Sequence, residues 1–440
     1  MNWILREVRM LLPEGEREGD AWIKEGRWQA LGVVPDKAVG KEVRAKGMYL
    51  LPGLIDTHVH FREPGLTHKG NLYTESRAAL AGGVTTIFDM PNTSPPTTTQ
   101  ERWEAKMHLA QNRCWTNYAF YFGATSDNIK EIHRLSPKAV PGVKIFLASS
   151  TGELLLTDEK ILHRLVRESP VRLVFHSEKE SLIQAAQRQY PSATWEKVPD
   201  LHYRLRPPEA CIESTRWLLE LACESQVALH IVHLTTAQEV NLLRHRPAHV
   251  SAETCPVYLT WSKEDFPRYR NFLKCNPSLK RIEDQEMLWR GLEEGVIEVV
   301  GTDHAPHTIE EKMRSYYEAP SGVPAHGYLL PWLYTIGQAR GLSLSFWVEK
   351  MAHAPARLWN IQQRGMLREG FWADGVLFDA QASTRVPSVG SAQHYSLCRW
   401  SPLAGRTLHG KVQATWVNGQ LSFWDGTFHA PAAGRAVDFA

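Results

Sequence analysis

Between Gly53 and Asn360, short apolar, β-branched runs alternate with stretches whose apolar positions recur at helical spacing. The runs are YLLPGLID, GVTTIFDM, TNYAFYFG, GVKIFLAS, VRLVFHS, VALHIVHL, AHVSAE and GVIEVVGTD. Among the amphipathic stretches between them are NLYTESRAALAG, DEKILHRLVRES and EACIESTRWLLELACES. Near-continuous apolar runs read as strands buried on both faces. Eight of them, mostly joined through helices, predict a parallel barrel rather than an open sheet. The ends follow another period: residues 1–50, and the stretch from GFWADGVLFDA to GKVQATWVNGQLSFW, show short alternating strands with Gly-rich turns. The expected fold class is therefore α/β, a (β/α)8 TIM-like barrel with a small β-sandwich domain built from both termini. Its expected parts are 1–51, 52–359 and 360–440. VPSVGSAQHYSLCRWSPLAG reads as a long loop.

Composition narrows the partners. Lys+Arg 50 against Asp+Glu 48 leaves a formal charge of +2 in 440 residues, which argues against nucleic acid or another polyanion. The N-terminus MNWILREVRMLLPEGE lacks the apolar core of a signal peptide, and no stretch reaches the roughly 20 apolar residues of a membrane span. Six scattered cysteines with no C-x-x-C suggest reduced thiols and a cytoplasmic location. The sixteen tryptophans read as packing residues.

The chemistry collects where the strands end. In LIDTHVHFREPG, residues i and i+2 share a strand face, so His58 and His60 aim at one point, with Asp56 on the same side. With 19 histidines in the chain, about one H-x-H arises by chance. Its place at a strand end beside an Asp and a Pro-Gly turn sets it apart. Asn92 follows the second strand, Lys144 lies within the fourth, His176 ends the fifth, His233 the sixth and Asp303 the last. Singly, each has a structural explanation: His176 as a hydrogen-bonded core residue, Lys144 with its tip snorkelling to solvent, Asp303 as a helix cap. Independent structural roles would not place them all at the same end of successive strands, where barrel active sites lie. Imidazoles with a carboxylate suit zinc and similar divalent ions. His245 and His249, separated by Pro247, are set aside.

Through DTHVHFREPG, GGVTTIFDMPNT, NPSLK and GTDHAPH the chain resembles the dihydroorotases of the amidohydrolase superfamily over nearly its whole length. The resemblance implies two divalent metals, usually zinc. His58, His60 and Asp303 would hold one, His176 and His233 the other, with a CO2-carboxylated lysine between them, for which Lys144 is the candidate. It implies hydrolysis of the ring amide of dihydroorotate, or closure of N-carbamoyl-aspartate in pyrimidine biosynthesis, with Asp303 moving the proton. Arg62 would face the substrate carboxylate, and Asn92, Asn276 and His307 would complete the contacts. A homodimer and association with aspartate transcarbamoylase are further implications. Hydantoinase or allantoinase activity keeps the mechanism and changes the ring, and a non-catalytic scaffold is the reading from another class. Two stretches depart from the family pattern. Val257 and Tyr258 stand where many relatives carry histidines, although Glu253 and the Cys-Pro step remain, and FLASSTGELLL does not match the mobile substrate loop.

Overall fold

The first fifty residues form β1 (Trp3–Leu12), β2 (Gly15–Lys24), β3 (Arg27–Gly32), β4 (Lys41–Arg44) and β5 (Tyr49–Pro52). The computed structural model describes residues 1–149, 154–429 and 431–440, so part of the FLASSTGELLL departure, residues 150–153, lies outside the described residues. The barrel strands follow: β6 (Leu54–Val59), β7 (Val84–Asp89), β8 (Asn117–Phe120) with its continuation β9 (Phe122–Gly123), β10 (Val143–Phe146), β11 (Leu173–His176), β12 (Leu229–Ile231), β13 (Val250–Thr254) and β14 (Val299–Val300). All pair in parallel with their sequence neighbours. The ring closes where Val59 bridges to His304 and the His60 amide donates to the His304 carbonyl at 2.8 Å. β6 and β7 are buried at every residue, polar ones included, which is why neither shows the apolar–polar alternation of a half-exposed strand. The eighth strand keeps only two residues; GVIEVVGTD leaves the ladder at Gly301 and turns toward the barrel mouth.

β15 (Gly375–Arg385), β16 (Thr407–Val417), β17 (Gln420–Trp424) and β18 (Thr427–Phe428) join the first five strands in one nine-stranded sheet. β15 pairs antiparallel with β5, so both termini share the domain. The sheet closes around its own core: Trp3 on β1 meets Trp416 on β16 at 6.0 Å between rings, although β5 and β15 separate their strands. At the closure a Cβ on Gly419 would sit 2.5 Å from the Gly26 Cα, and both residues hold positive φ, so neither turn admits a side chain without moving.

Asp374 fastens the sheet to the barrel. It accepts from the Asn418 amide at 2.7 Å and from the Asn117 side chain at 3.0 Å, and pairs with buried Arg364. The last residues return to the barrel rather than ending in the sheet. The Tyr118 amide donates to the Arg435 carbonyl, and Phe439 packs on Phe88 at 5.7 Å between rings. The expected loop over residues 386–405 carries no strand or helix, yet it is fastened down: Ser396 donates to buried Glu75 at 2.6 Å.

Candidate metal centre at the barrel mouth

The strand ends bring the predicted residues together. His60 Nε2 lies 2.9 Å and His58 Nε2 3.4 Å from the same Asp303 oxygen. These three form the one group of at least three potential metal ligands within 4.8 Å of one another among the described residues. Asp303 does not cap the following helix, Ile309–Lys312; Thr308 does. On the opposite side His176 Nδ1 and His233 Nε2 face each other at 2.9 Å. The two groups adjoin, with the His58 and His233 rings 5.4 Å apart.

Partners on the outer nitrogens settle which atoms point inward. His58 Nδ1 is held by Glu253 at 2.5 Å, His60 Nδ1 by the Asn92 oxygen at 2.8 Å, and His176 Nε2 by Glu178 at 2.8 Å. A ring N–H committed to such an acceptor leaves the other nitrogen as a lone pair, the form a metal takes. Burial also pushes His60, His176 and His233 below the ordinary imidazole pKa, which favours the neutral, ligating state. Asp303 stays ionised: burial opposes its charge, but His58 and His60 more than offset that and bring it below the usual range.

Lys144 does not snorkel. It is buried, its Nζ has no hydrogen-bond partner, and burial lowers its pKa to about 8 despite the attraction of Glu253 and Asp303. An ammonium stranded in this way gives up a proton readily, and the neutral amine that results is the nucleophile carboxylation needs, so the donor set would fit two divalent ions with a modified lysine between them.

Arg62 is also buried, and no carboxylate pairs with it among the described residues. Glu63, its neighbour, is taken by Arg113 at 2.9 Å. The Arg62 Nε donates to the Pro306 carbonyl at 3.0 Å and one terminal nitrogen lies 3.0 Å from His307 Nε2. Burial brings its pKa to about 10, so it remains a cation. Arg62, Asn92, Asn276, Asp303 and His60 line one cleft, and the buried Asn276 Oδ1 has no partner. His307 stands behind Arg62, its backbone oxygen accepting from Trp400 at 2.7 Å. Tyr258, where relatives were expected to carry histidine, donates to the Pro277 carbonyl at 2.9 Å and so props the Asn276 segment.

Three of these residues, Arg62, His233 and Asp303, hold positive φ of 69°, 43° and 49°. Such conformations cost a non-glycine residue about 1–3 kcal/mol each and persist where the surroundings impose them, often at functional sites. Sequence reading did not single out Glu178 or Arg206, nor give Glu253 a role. Glu178 follows His176 at the same i,i+2 spacing that marks His58 and His60, and its carboxylate meets Arg206 at 2.5 Å. Glu253 stands in a strand buried at every residue, where a carboxylate requires a partner. The remaining signal is tight packing: a Cβ on Gly301 would lie 2.5 Å from the Glu253 Oε2.

The chain belongs to the amidohydrolase family, whose model matches residues 49–422. Among curated relatives it is similar to an allantoinase of Streptomyces avermitilis, 34% identical over 97% of each chain. It is similar as well to a dihydroorotase of Methanothermobacter thermautotrophicus, 31% identical over 88% of this chain and 86% of the relative. Among solved structures, the L-hydantoinase (dihydropyrimidinase) from Arthrobacter aurescens superposes with a TM-score of 0.92 at 28% identity, over 99% of both chains. No helix among the described residues is long and apolar enough to cross a membrane.

Proposed function

We propose that the protein is a metal-dependent hydrolase that opens the ring amide of a cyclic ureide, with dihydroorotate as the ring that the site geometry favours. The observation that carries the choice of ring is Arg62: a buried guanidinium with no carboxylate partner among the described residues, lining the cleft beside Asp303. A planar fork of this kind matches a ring carboxylate, which dihydroorotate has and hydantoin and allantoin lack. The second reading, hydrolysis of allantoin or a hydantoin, is favoured by the comparisons, in which allantoinase and hydantoinase relatives match over more of the chain than the dihydroorotases do. On similarity alone it is the better supported of the two.

His58, His60 and Asp303 would hold one divalent ion, zinc by preference, and His176 and His233 a second, with Lys144 as a carboxylated bridge. Two such ions lower the pKa of water and polarise a carbonyl oxygen. The chain's own residues supply the rest. Asp303, ionised at neutral pH, accepts the proton of the attacking water and passes it to the departing ring nitrogen. Arg62 orients the ring through the ring's carboxylate, Asn92 and Asn276 position the ureide, and His307 acts from behind Arg62 by holding its guanidinium. Run in reverse, the same groups close an N-carbamoyl amino acid. Turnover of dihydroorotate, hydantoin and allantoin by wild type and Arg62→Met tests the choice. Preferential turnover of dihydroorotate, abolished by the substitution, supports the first reading; turnover of a neutral ring that survives the substitution establishes the second.

A further inference from the structure

A second cavity, of about 370 Å3, opens beside the catalytic cleft and shares Asn276 and Ser321 with it. It contains Arg206 and Lys274, and among the described residues no Asp or Glu lines it. Arg206 is balanced by Glu178 behind it. Lys274 is not balanced: its Nζ donates to the carbonyls of Tyr316 at 2.6 Å and Ala319 at 2.5 Å, and no carboxylate pairs with it among the described residues. An ammonium has three donors; two go to these carbonyls, and the third side of Lys274 rests over the Tyr316 ring, 4.3 Å from its centroid, so none of its partners carries a formal negative charge. His202 adds no charge, because burial holds it neutral between the Tyr316 hydroxyl and the Cys275 carbonyl. Among the described residues the cavity thus holds one positive charge with no carboxylate to balance it; burial and Arg206 lower the Lys274 pKa to about 8, which leaves it mainly protonated at neutral pH.

Ring hydrolysis changes the charge of what occupies that centre. The C–N bond breaks, the carbonyl carbon gains the hydroxyl of water, the nitrogen gains hydrogen, and the new acid ionises. Whichever ring is opened, the product is an N-carbamoyl acid with one more negative charge and a longer reach than its ring. We infer that this cavity receives the open-chain carboxylate, Lys274 drawing it off the metal centre toward solvent. The inference rests on the cyclic-ureide reading above but not on the identity of the ring.

The test is calorimetric binding of N-carbamoylglycine, allantoate and N-carbamoyl-L-aspartate, with uncharged hydantoin as control, to metal-loaded wild type, Lys274→Met and Gln187→Glu. Gln187 is an exposed residue of the helix Glu180–Gln189 that lines the cavity, so its substitution alters charge without touching the loop that Lys274 supports. Both variants are expected to weaken acid binding on the order of tenfold and to leave hydantoin binding unchanged. Equal acid affinity in wild type and both variants, or no acid binding to wild type at millimolar concentration, overturns the inference. If the acids bind in this charge-dependent way while no ring is turned over, the cavity stands and the cyclic-ureide reading falls. If a ring is turned over without that charge dependence, the cavity assignment alone falls.

Discussion

Glu253 offers the sharpest perturbation of the metal centre because it touches no substrate. One oxygen holds His58 Nδ1 at 2.5 Å, and the other lies 3.3 Å from both His230 Nε2 and the Thr57 hydroxyl. The carboxylate is fully buried; burial opposes its charge, yet His58 and His230 keep it well below the ordinary range, hence ionised. Glu253→Gln keeps the shape and an acceptor for His58 while removing the charge. A carboxylate behind a ligating histidine typically accounts for about 10–100-fold in metal affinity, or roughly 1.4–2.7 kcal/mol. Glu253→Ala removes the acceptor as well. It leaves buried polar groups of His58, His230 and Thr57 without a partner, and should lower the stability of metal-free protein by about 3–5 kcal/mol. Chelator competition measures the first effect and denaturant unfolding of metal-free protein the second. The expected pattern is a large affinity loss with modest destabilisation for Gln, and both losses for Ala. Wild-type metal affinity in Glu253→Gln would refute the assignment of His58 as a ligand oriented by this carboxylate.

Other outcomes follow from the same contacts. Lys144, with a folded pKa of about 8 against the ordinary 10.5, sheds its proton earlier in the folded than in the unfolded chain. Between those values the unfolded state binds more protons, so metal-free wild type should gain about 3 kcal/mol relative to Lys144→Met as pH rises through that window. Parallel stability curves for the two proteins would contradict this. Supplying bicarbonate with metal should add the mass of one CO2 to wild type and none to Lys144→Met, read by native mass spectrometry. Asp374→Ala, which unpairs buried Arg364 at the join between sheet and barrel, should cost about 3–5 kcal/mol in unfolding experiments without altering metal affinity.

The sequence was most legible where local period and chemistry coincide. Period-2 geometry at a strand end brought out His58 and His60, and strand-end position alone brought out His176, His233 and Asp303. The barrel and the shared β-domain were legible for the same reason: fully buried strands and half-exposed strands write different patterns. What stayed hidden depends on residues far apart in the chain. Glu253 meets His58 across 195 positions, and Asp374 meets Asn117 across 257. The left-handed backbone of Arg62, His233 and Asp303 was also invisible, since no glycine marks it. The loop over residues 386–405 was recognised as a loop, but nothing local told that Trp400 would reach His307. Nor does adjacency in sequence show that Glu63 pairs with Arg113, fifty positions away, rather than with Arg62 beside it.

Under the proposed function, two metal ions at the mouth of this barrel open a cyclic ureide. The most direct test measures metal content and ring opening on one sample, with dihydroorotate, allantoin and hydantoin, before chelation, after it and after reconstitution. Two divalent ions per chain are expected, with turnover of at least one ring lost with the metal and regained with it. Ring opening that persists in metal-free protein, or a fully loaded protein that opens none of the three rings, would contradict it.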